Sequence, residues 1–283
     1  MKTSTLNHLA KLGANASAIT FGLLLSSQSA FAFTVGYFTD FNETTTAPAA
    51  PITLAGYTPV QILDITTFNL STVDALMVNE PSNGGISAGL LGRLGDIQTW
   101  VQGGGKFIVH DRFVTNDIGD PQSNPLLVGA PTTLLDRDFT ISSDIDVVPP
   151  GTTLVTSGPF GTITNTSLDG GDASTHGFAL LNTWPAGSTP ILQIDGNANQ
   201  IAAFSYGLGH GFVYYSTIPL DFYLEGFGPN PPRDNFNQIY TPNVLAYAES
   251  QAESQKVPEP ASVLGLLAIG VLGAGSALKP KLK

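Results

Sequence analysis

The sequence predicts an α/β fold for the long central part of the chain, and three features carry that expectation. A nearly continuous apolar stretch, Ala75–Asn79, precedes an amphipathic helical stretch and a second strand-like stretch, Lys106–Asp111. A strand covered on both faces reads as an unbroken apolar run, and a strand–helix–strand order of this length makes the two strands parallel neighbours with a right-handed crossover. A hairpin pattern at 200–216 and a closing helical stretch from Thr241 to about Gln251 complete the set.

The elements follow in order. Phe33–Phe38 is rich in β-branched and aromatic residues and reads as a first strand. Residues 41–53, rich in Thr, Pro and Ala, read as a loop with at most a short helix, and Val60–Leu63 as a second strand. The helix is the clearest element. Ser87 can cap it, Leu90, Leu91, Leu94, Ile97 and Val101 recur at helical spacing, and Gly103–Gly105 ends it. From Asp117 to Asn197 the chain is dense in Gly, Thr, Ser, Asp and Pro, with short strand-like pieces at Ile145–Val148, Thr153–Val155 and Ile191–Ile194. It reads as a loop- and strand-rich insertion on one sheet edge. Gln200–Tyr206 and Phe212–Ser216 flank the glycine-rich turn Gly207–Gly211 as a hairpin, and Pro242 suits the first turn of the last helix.

Both ends of the chain differ from its middle. Lys2 and Lys11 flank a polar opening, Ala16–Leu25 is apolar, and Ala30-Phe31-Ala32 fits a small-x-small cleavage site. Residues 1–32 therefore read as a secretory signal peptide cut after Ala32. At the other end, 261–278 holds only Ala, Val, Leu, Ile, Gly and Ser, followed by Lys279, Lys281 and Lys283. A helix of that length rises about 27 Å, close to the roughly 30 Å of a hydrocarbon core, and the lysines favour a cytoplasmic end at 279–283. Residues 253–260 form a linker ending in Pro258-Glu259-Pro260, where the prolines hold the approach extended. A buried C-terminal helix is the alternative, but the run has no polar face.

Val257-Pro258-Glu259-Pro260-Ala261-Ser262, a Gly/Leu/Ala-rich helix and a basic end together resemble the PEP-CTERM sorting signal. The resemblance implies that Pro258, Glu259 and Pro260 are read by an exosortase that cleaves nearby. It implies a protein exported through the Sec translocon, trimmed by signal peptidase, and tethered to the inner membrane through 261–278 before release to the cell surface or extracellular space. Proteins of this kind are linked to biofilm and extracellular polysaccharide. The resemblance covers about 27 residues and leaves 33–252, one domain-sized body, unexplained.

Composition narrows the body's roles. The whole chain carries 11 basic and 22 acidic residues; six and 21 of these fall in 33–257, a formal charge of −15. Such a surface repels phosphates and anionic lipid headgroups, so no nucleic-acid partner is expected. There is no cysteine, hence no disulfide, thiolate metal site or thiol nucleophile.

Trp100–Val109, and Gly207–Asp221 followed by Asn243–Tyr247, resemble the class I glutamine amidotransferase-like superfamily, whose non-catalytic members include ThuA-like domains and a trimerisation domain of some β-galactosidases. The resemblance implies a flavodoxin-like three-layer sheet. That superfamily's reaction needs a cysteine on a sharp strand-to-helix turn, which this sequence lacks.

Two clusters invite a ligand. His110-Asp111-Arg112 ends a central strand, where α/β folds place ligands, and offers an acid–base or anion-binding corner; a solvated strand end is the plain alternative. Asp169-Gly170-Gly171-Asp172, with His176, places carboxylates on a glycine-rich loop that can hold Ca²⁺, although Asp117 and Asp120, or Asp144 and Asp146, serve as well, and the twelve-residue calcium loop is missing. An ordinary acidic turn is the alternative, and no cofactor is otherwise expected. Trp100, Trp184, Tyr214, Tyr215, Phe222 and Tyr223 read mainly as core, and His210 as a turn residue. Two functions remain. One is a non-catalytic surface or matrix protein, ligand-binding at most. The other is an extracellular carbohydrate-active hydrolase or accessory protein built on His110, Asp111 and Arg112, with Asp221 or His176 completing a pocket.

Overall fold

A computed structural model describes residues 33–138, 144–170 and 174–253. The expected signal peptide with Ala30 and Ala32, the Pro258-Glu259-Pro260 motif and the apolar run 261–278 lie outside these residues. Among the described residues, no helix is long and apolar enough to cross a membrane.

The chain begins with strand β1 (Thr34–Thr39), helix α1 (Ala49–Leu54) and β2 (Thr58–Gln61). A single 3-10 turn at Leu70–Thr72 leads to β3 (Ala75–Glu80), α2 (Ala88–Gln102) and β4 (Lys106–Asp111). The insertion supplies β5 (Gln122–Ser123), β6 (Leu134–Arg137), β7 (Ile145–Val147), β8 (Ser157–Gly158), β9 (Gly161–Thr162), β10 (Gly177–Leu180) and β11 (Thr189–Ile194). Then come the hairpin strands β12 (Asn197–Leu208) and β13 (Gly211–Ser216), short helices α3 (Leu220–Leu224) and α4 (Pro232–Asn235), and α5 (Thr241–Glu253).

Most strands join one mixed sheet in the order β2-β1-β3-β4-β13-β12-β10-β6-β5, with β11 and β7 branching from β12, while β8 and β9 form a separate hairpin. The pairs β1–β2, β1–β3, β3–β4 and β4–β13 are parallel; from β12 outward the pairing is antiparallel. The fold is thus α/β, with the insertion extending one edge as expected.

Strand alternation sorts the core. Val35, Tyr37, Met77, Ile108 and Tyr214 face a cluster with Ile52 of α1, Phe236, Tyr240 and the α5 residues Val244, Leu245 and Ala248. Phe38, Val78, Phe107, Val109 and Tyr215 face the opposite cluster, with Leu90, Ile97 and Val101 of α2. The Ser87 hydroxyl accepts from the Leu90 N–H at 3.2 Å and caps α2. Beyond α2 the β12–β13 turn docks against the helix end, where the His210 N–H donates to Gln102 O at 2.9 Å and the Phe212 N–H to Gly105 O at 3.2 Å.

Two expectations shift. The second strand ends at Gln61, so Leu63 is left 63% exposed while Ile62 turns in against Gly36. Thr153–Val155 is a turn rather than a strand, because the Thr156 hydroxyl donates to Gly151 O and lies 3.1 Å from Thr153 O, satisfying backbone that a ladder would otherwise use. The last helix starts at Thr241 as expected, directly after a π turn at Phe236–Tyr240, and Pro242, with no N–H to give, lies in its first turn.

Asn243 pins β8–β9 to α5. Its Nδ2 donates to Val155 O and Gly161 O, and its Oδ1 accepts from the Phe160 N–H, all at a fully buried position. Asn243→Ala strands three backbone groups and is expected to cost about 2–3 kcal/mol in urea denaturation.

Candidate functional site at the strand ends

Strands β1, β3, β4 and β13 each end in two polar residues after an apolar run, and the pleat sends the two to opposite faces. Thr39 pairs in register with Asn79, Asn79 with His110, and His110 with Ser216, which makes one row on the α5 side of the sheet. Glu80 pairs with Asp111, and the Asp40 N–H donates to Asn79 O, so Asp40, Glu80 and Asp111 form a second row on the α2 side. All seven side chains are buried.

The acidic row is densely bonded. Asp111 Oδ1 accepts from the Val114 N–H at 3.0 Å, and its Oδ2 from Asn124 Nδ2 at 2.7 Å and the Tyr215 hydroxyl at 2.6 Å. Glu80 accepts from the Ser82 and Phe113 N–H groups, and Asp40 Oδ2 from the Ser87 N–H. The Arg137 guanidinium donates to Thr115 O and Asn83 O, stacks over Phe113 and supplies opposite charge to Asp111 and Glu80. Burial raises the Asp111 carboxyl. Burial, and then the charge of Asp111, push Glu80 from 4.5 up to about 9. The folded chain therefore binds this proton more tightly than the unfolded chain. The stability Glu80 contributes is complete below its unfolded value and is lost as pH rises through the folded value. Glu80→Gln is expected to lose less stability than the wild type between about pH 5 and about pH 9, read from urea midpoints across that range.

The second row is neutral and less complete. His110 Nδ1 lies 2.8 Å from Ser216 Oγ, Tyr240 also hydrogen-bonds Ser216, and the Tyr240 and Tyr214 hydroxyls lie 2.9 Å apart. Burial pushes His110 down to about 3, so its ring is neutral at ordinary pH. A serine–histidine contact can mark a nucleophile, but a triad also needs a carboxylate on the other ring nitrogen. His110 Nε2 has no hydrogen-bond partner among the described residues. α3 packs against β3 and carries Asp221, whose carboxyl burial raises to about 6 while the Arg112 charge lowers it.

His110 and Asp111 thus face apart and do not form one corner. Arg112 points elsewhere, its guanidinium 6.0 Å from the Phe222 ring centroid, and its charge couples to Asp221 and His176. His176 hydrogen-bonds the Arg112 backbone, and burial pushes it down to about 3. Asp169 lies in other surroundings: its Oδ1 accepts from the Ile145 N–H, and its charged neighbours are Asp144, Asp146 and Asp195. Asp172 lies outside the described residues. Among those residues, no group of three or more His, Asp or Glu is placed to hold a metal ion. Tyr214, Tyr215 and Tyr223 are core, Trp100 and Trp184 pack at its margin, and His210 is an exposed turn residue.

Sequence reading missed Thr39, Asp40, Asn79, Glu80, Ser216 and Arg137. A signal was present in Thr39-Asp40, Asn79-Glu80, His110-Asp111 and Ser216-Thr217, four polar pairs that each close an apolar strand. A cavity of about 570 Å³ between α2 and the 123–131 segment lies away from the neutral row.

Residues 256–279 match the PEP-CTERM protein-sorting motif. No curated protein matches the chain. Among solved structures it is similar to a beta-galactosidase from Rahnella sp. R3, at 12% identity and TM-score 0.41, over 76% of this chain and 31% of that one. It is also similar to two cytoplasmic proteins of Salmonella typhimurium. One matches at 9% identity and TM-score 0.42 over 76% of this chain and 98% of its own, the other at 11% and 0.44 over 76% and 99%. The chain spans about a third of the beta-galactosidase it matches. The sorting motif implies an exported protein, anchored in a membrane before an exosortase processes it.

Proposed function

We propose that the chain delivers a non-catalytic, ligand-binding body to the cell surface or extracellular matrix, after signal peptidase cuts behind Ala32 and an exosortase cuts near Pro258-Glu259-Pro260. The match of 256–279 to the sorting motif carries the delivery half of this reading. For the body, five parallel strands in the order β2-β1-β3-β4-β13, with helices on both faces, support a flavodoxin-like arrangement of the amidotransferase-like, ThuA-like kind. The missing cysteine and the incomplete Ser216–His110 pair support a binding rather than a catalytic role. The separation of His110 from Asp111 across the sheet weighs against a hydrolase built on that pair. The body's formal charge of −15 suits a solvated surface or matrix protein near extracellular polysaccharide.

Intact mass of the protein recovered from cell surface and medium tests the delivery. The expected species lacks 1–32 and the apolar tail beyond the Pro-Glu-Pro motif. A mature species that keeps 261–283 would replace exosortase processing with a plain membrane anchor.

A further inference from the structure

We propose that the neutral row at the strand ends, together with Asp221 of α3, takes a small uncharged polyol of the size of one sugar ring. The proposal rests on the binding reading above and names its ligand. Five buried polar atoms carry it: Thr39 Oγ1, Asn79 Oδ1 and Nδ2, His110 Nε2 and Asp221 Oδ1 have no hydrogen-bond partner among the described residues. Their side chains are 2%, 0%, 0% and 7% exposed, so bulk water does not reach them. Thr39, Asn79 and His110 are register neighbours on adjacent strands, and α3, which carries Asp221, packs against β3. A buried polar group left unpaired costs about 1–3 kcal/mol, and such a group of them calls for a partner. They come from β1, β3, β4 and α3, far apart in sequence, so no local turn accounts for them.

The chemistry of these atoms selects the ligand. Asn79 offers an acceptor and a donor side by side, which matches two neighbouring hydroxyls. Asp221 accepts, Thr39 does both, and His110 accepts at Nε2 when its Nδ1–H donates to Ser216. An acceptor-rich set of this kind suits a ligand with several O–H donors. An anion would meet the Asp221 carboxylate, whose one cationic neighbour, Arg112, is already coupled to it, and no lysine belongs to the row. A metal ion lacks three ligating side chains there. Two residues beyond Thr39, Phe41 is 57% exposed, and three beyond α3, Phe227 is 56% exposed and stacks on Phe222 with ring centroids 5.5 Å apart. Exposed aromatic faces are suited to the C–H face of a sugar ring. Asn42 Nδ2 donates to Glu225 Oε1 at 2.7 Å and ties the segment after β1 to the end of α3.

The test uses the full chain in a sugar-free detergent, with glucose, galactose and mannose as probes up to about 20 mM by calorimetry and inorganic phosphate as the charged control, alongside native mass spectrometry of the protein as isolated. Asn79→Leu replaces the unpaired amide by an apolar group of similar shape and is expected to keep the fold. At least one sugar should bind saturably, phosphate should not, and Asn79→Leu and Asp221→Asn should each weaken the sugar at least ~10-fold. Two results would overturn the proposal. If no sugar binds but a non-sugar mass accompanies the wild type and is lost in Asn79→Leu, the ligand class is wrong and the binding reading stands. If nothing binds and Asn79→Leu is more stable than the wild type, both fall.

Discussion

Gly211→Ala is expected to prevent the body from folding. A Cβ at this position would sit 1.9 Å from Val101 O and 2.4 Å from Gly105 O, both backbone atoms. Neither side can give way. The bonds from His210 to Gln102 and from Phe212 to Gly105 fix the hairpin against the end of α2, and β13 is central in the sheet. Overpacking usually costs about 1–3 kcal/mol, and a clash between two backbones held by their own hydrogen bonds belongs above that range. Gly207 is the control, since a Cβ there meets nothing within 4 Å. Gly207→Ala should stay within about 0.5 kcal/mol of the wild type, so circular dichroism and urea titration of the two variants isolate the contact. Equal stability of both would mean that the hairpin does not dock on α2 in this way.

Asp111→Ala is expected to cost about 3–5 kcal/mol, because it removes the shared acceptor of the Tyr215 hydroxyl, Asn124 and the Val114 N–H at a position with no access to water. A second consequence separates this from simple loss of volume. Asp111 is the leading charge that raises Glu80, after burial, so its removal should bring the Glu80 carboxyl back toward its ordinary range. Asp111→Asn keeps an acceptor and removes the charge, so it should show the same movement of Glu80 with a smaller loss of stability. Denaturation of the three proteins across pH, with the Glu80 carboxyl followed by NMR, reads both effects. A mild phenotype for Asp111→Ala would show that Tyr215 and Asn124 find other acceptors.

What the sequence made legible was the part governed by local pattern. Leu90, Ile97 and Val101 at helical spacing, the Ser87 cap and the glycine stop predict α2, and the apolar runs on either side predict β3 and β4 as parallel neighbours, as found. Where side-chain hydrogen bonds compete with ladders, as at Thr156, local pattern misleads, and it gives no sign of the π turn at Phe236–Tyr240 that precedes α5. The candidate site was half legible. Strand-end chemistry pointed to His110 and Asp111, but only the register reveals that they serve opposite faces and that Asn79 and Thr39 stand beside His110. Arg137 approaches the acidic row from β6, and nothing near it in sequence announces Glu80 or Asp111.

The alternation of the two rows also bears on how the chain finds its pairing. The apolar stretch of β4 is Phe107-Ile108-Val109, and interchanging such residues between faces carries only a modest penalty. A slip of one residue would, however, carry the Asp111 carboxyl in among Tyr214 and Tyr240 and leave His110 facing Glu80. An isolated charge on the apolar side is far costlier than a misplaced methyl group. The polar termini thus act as a proofreading mark for strand alignment, and a single-residue insertion in β4 should be rejected even where its greasy centre would accept one.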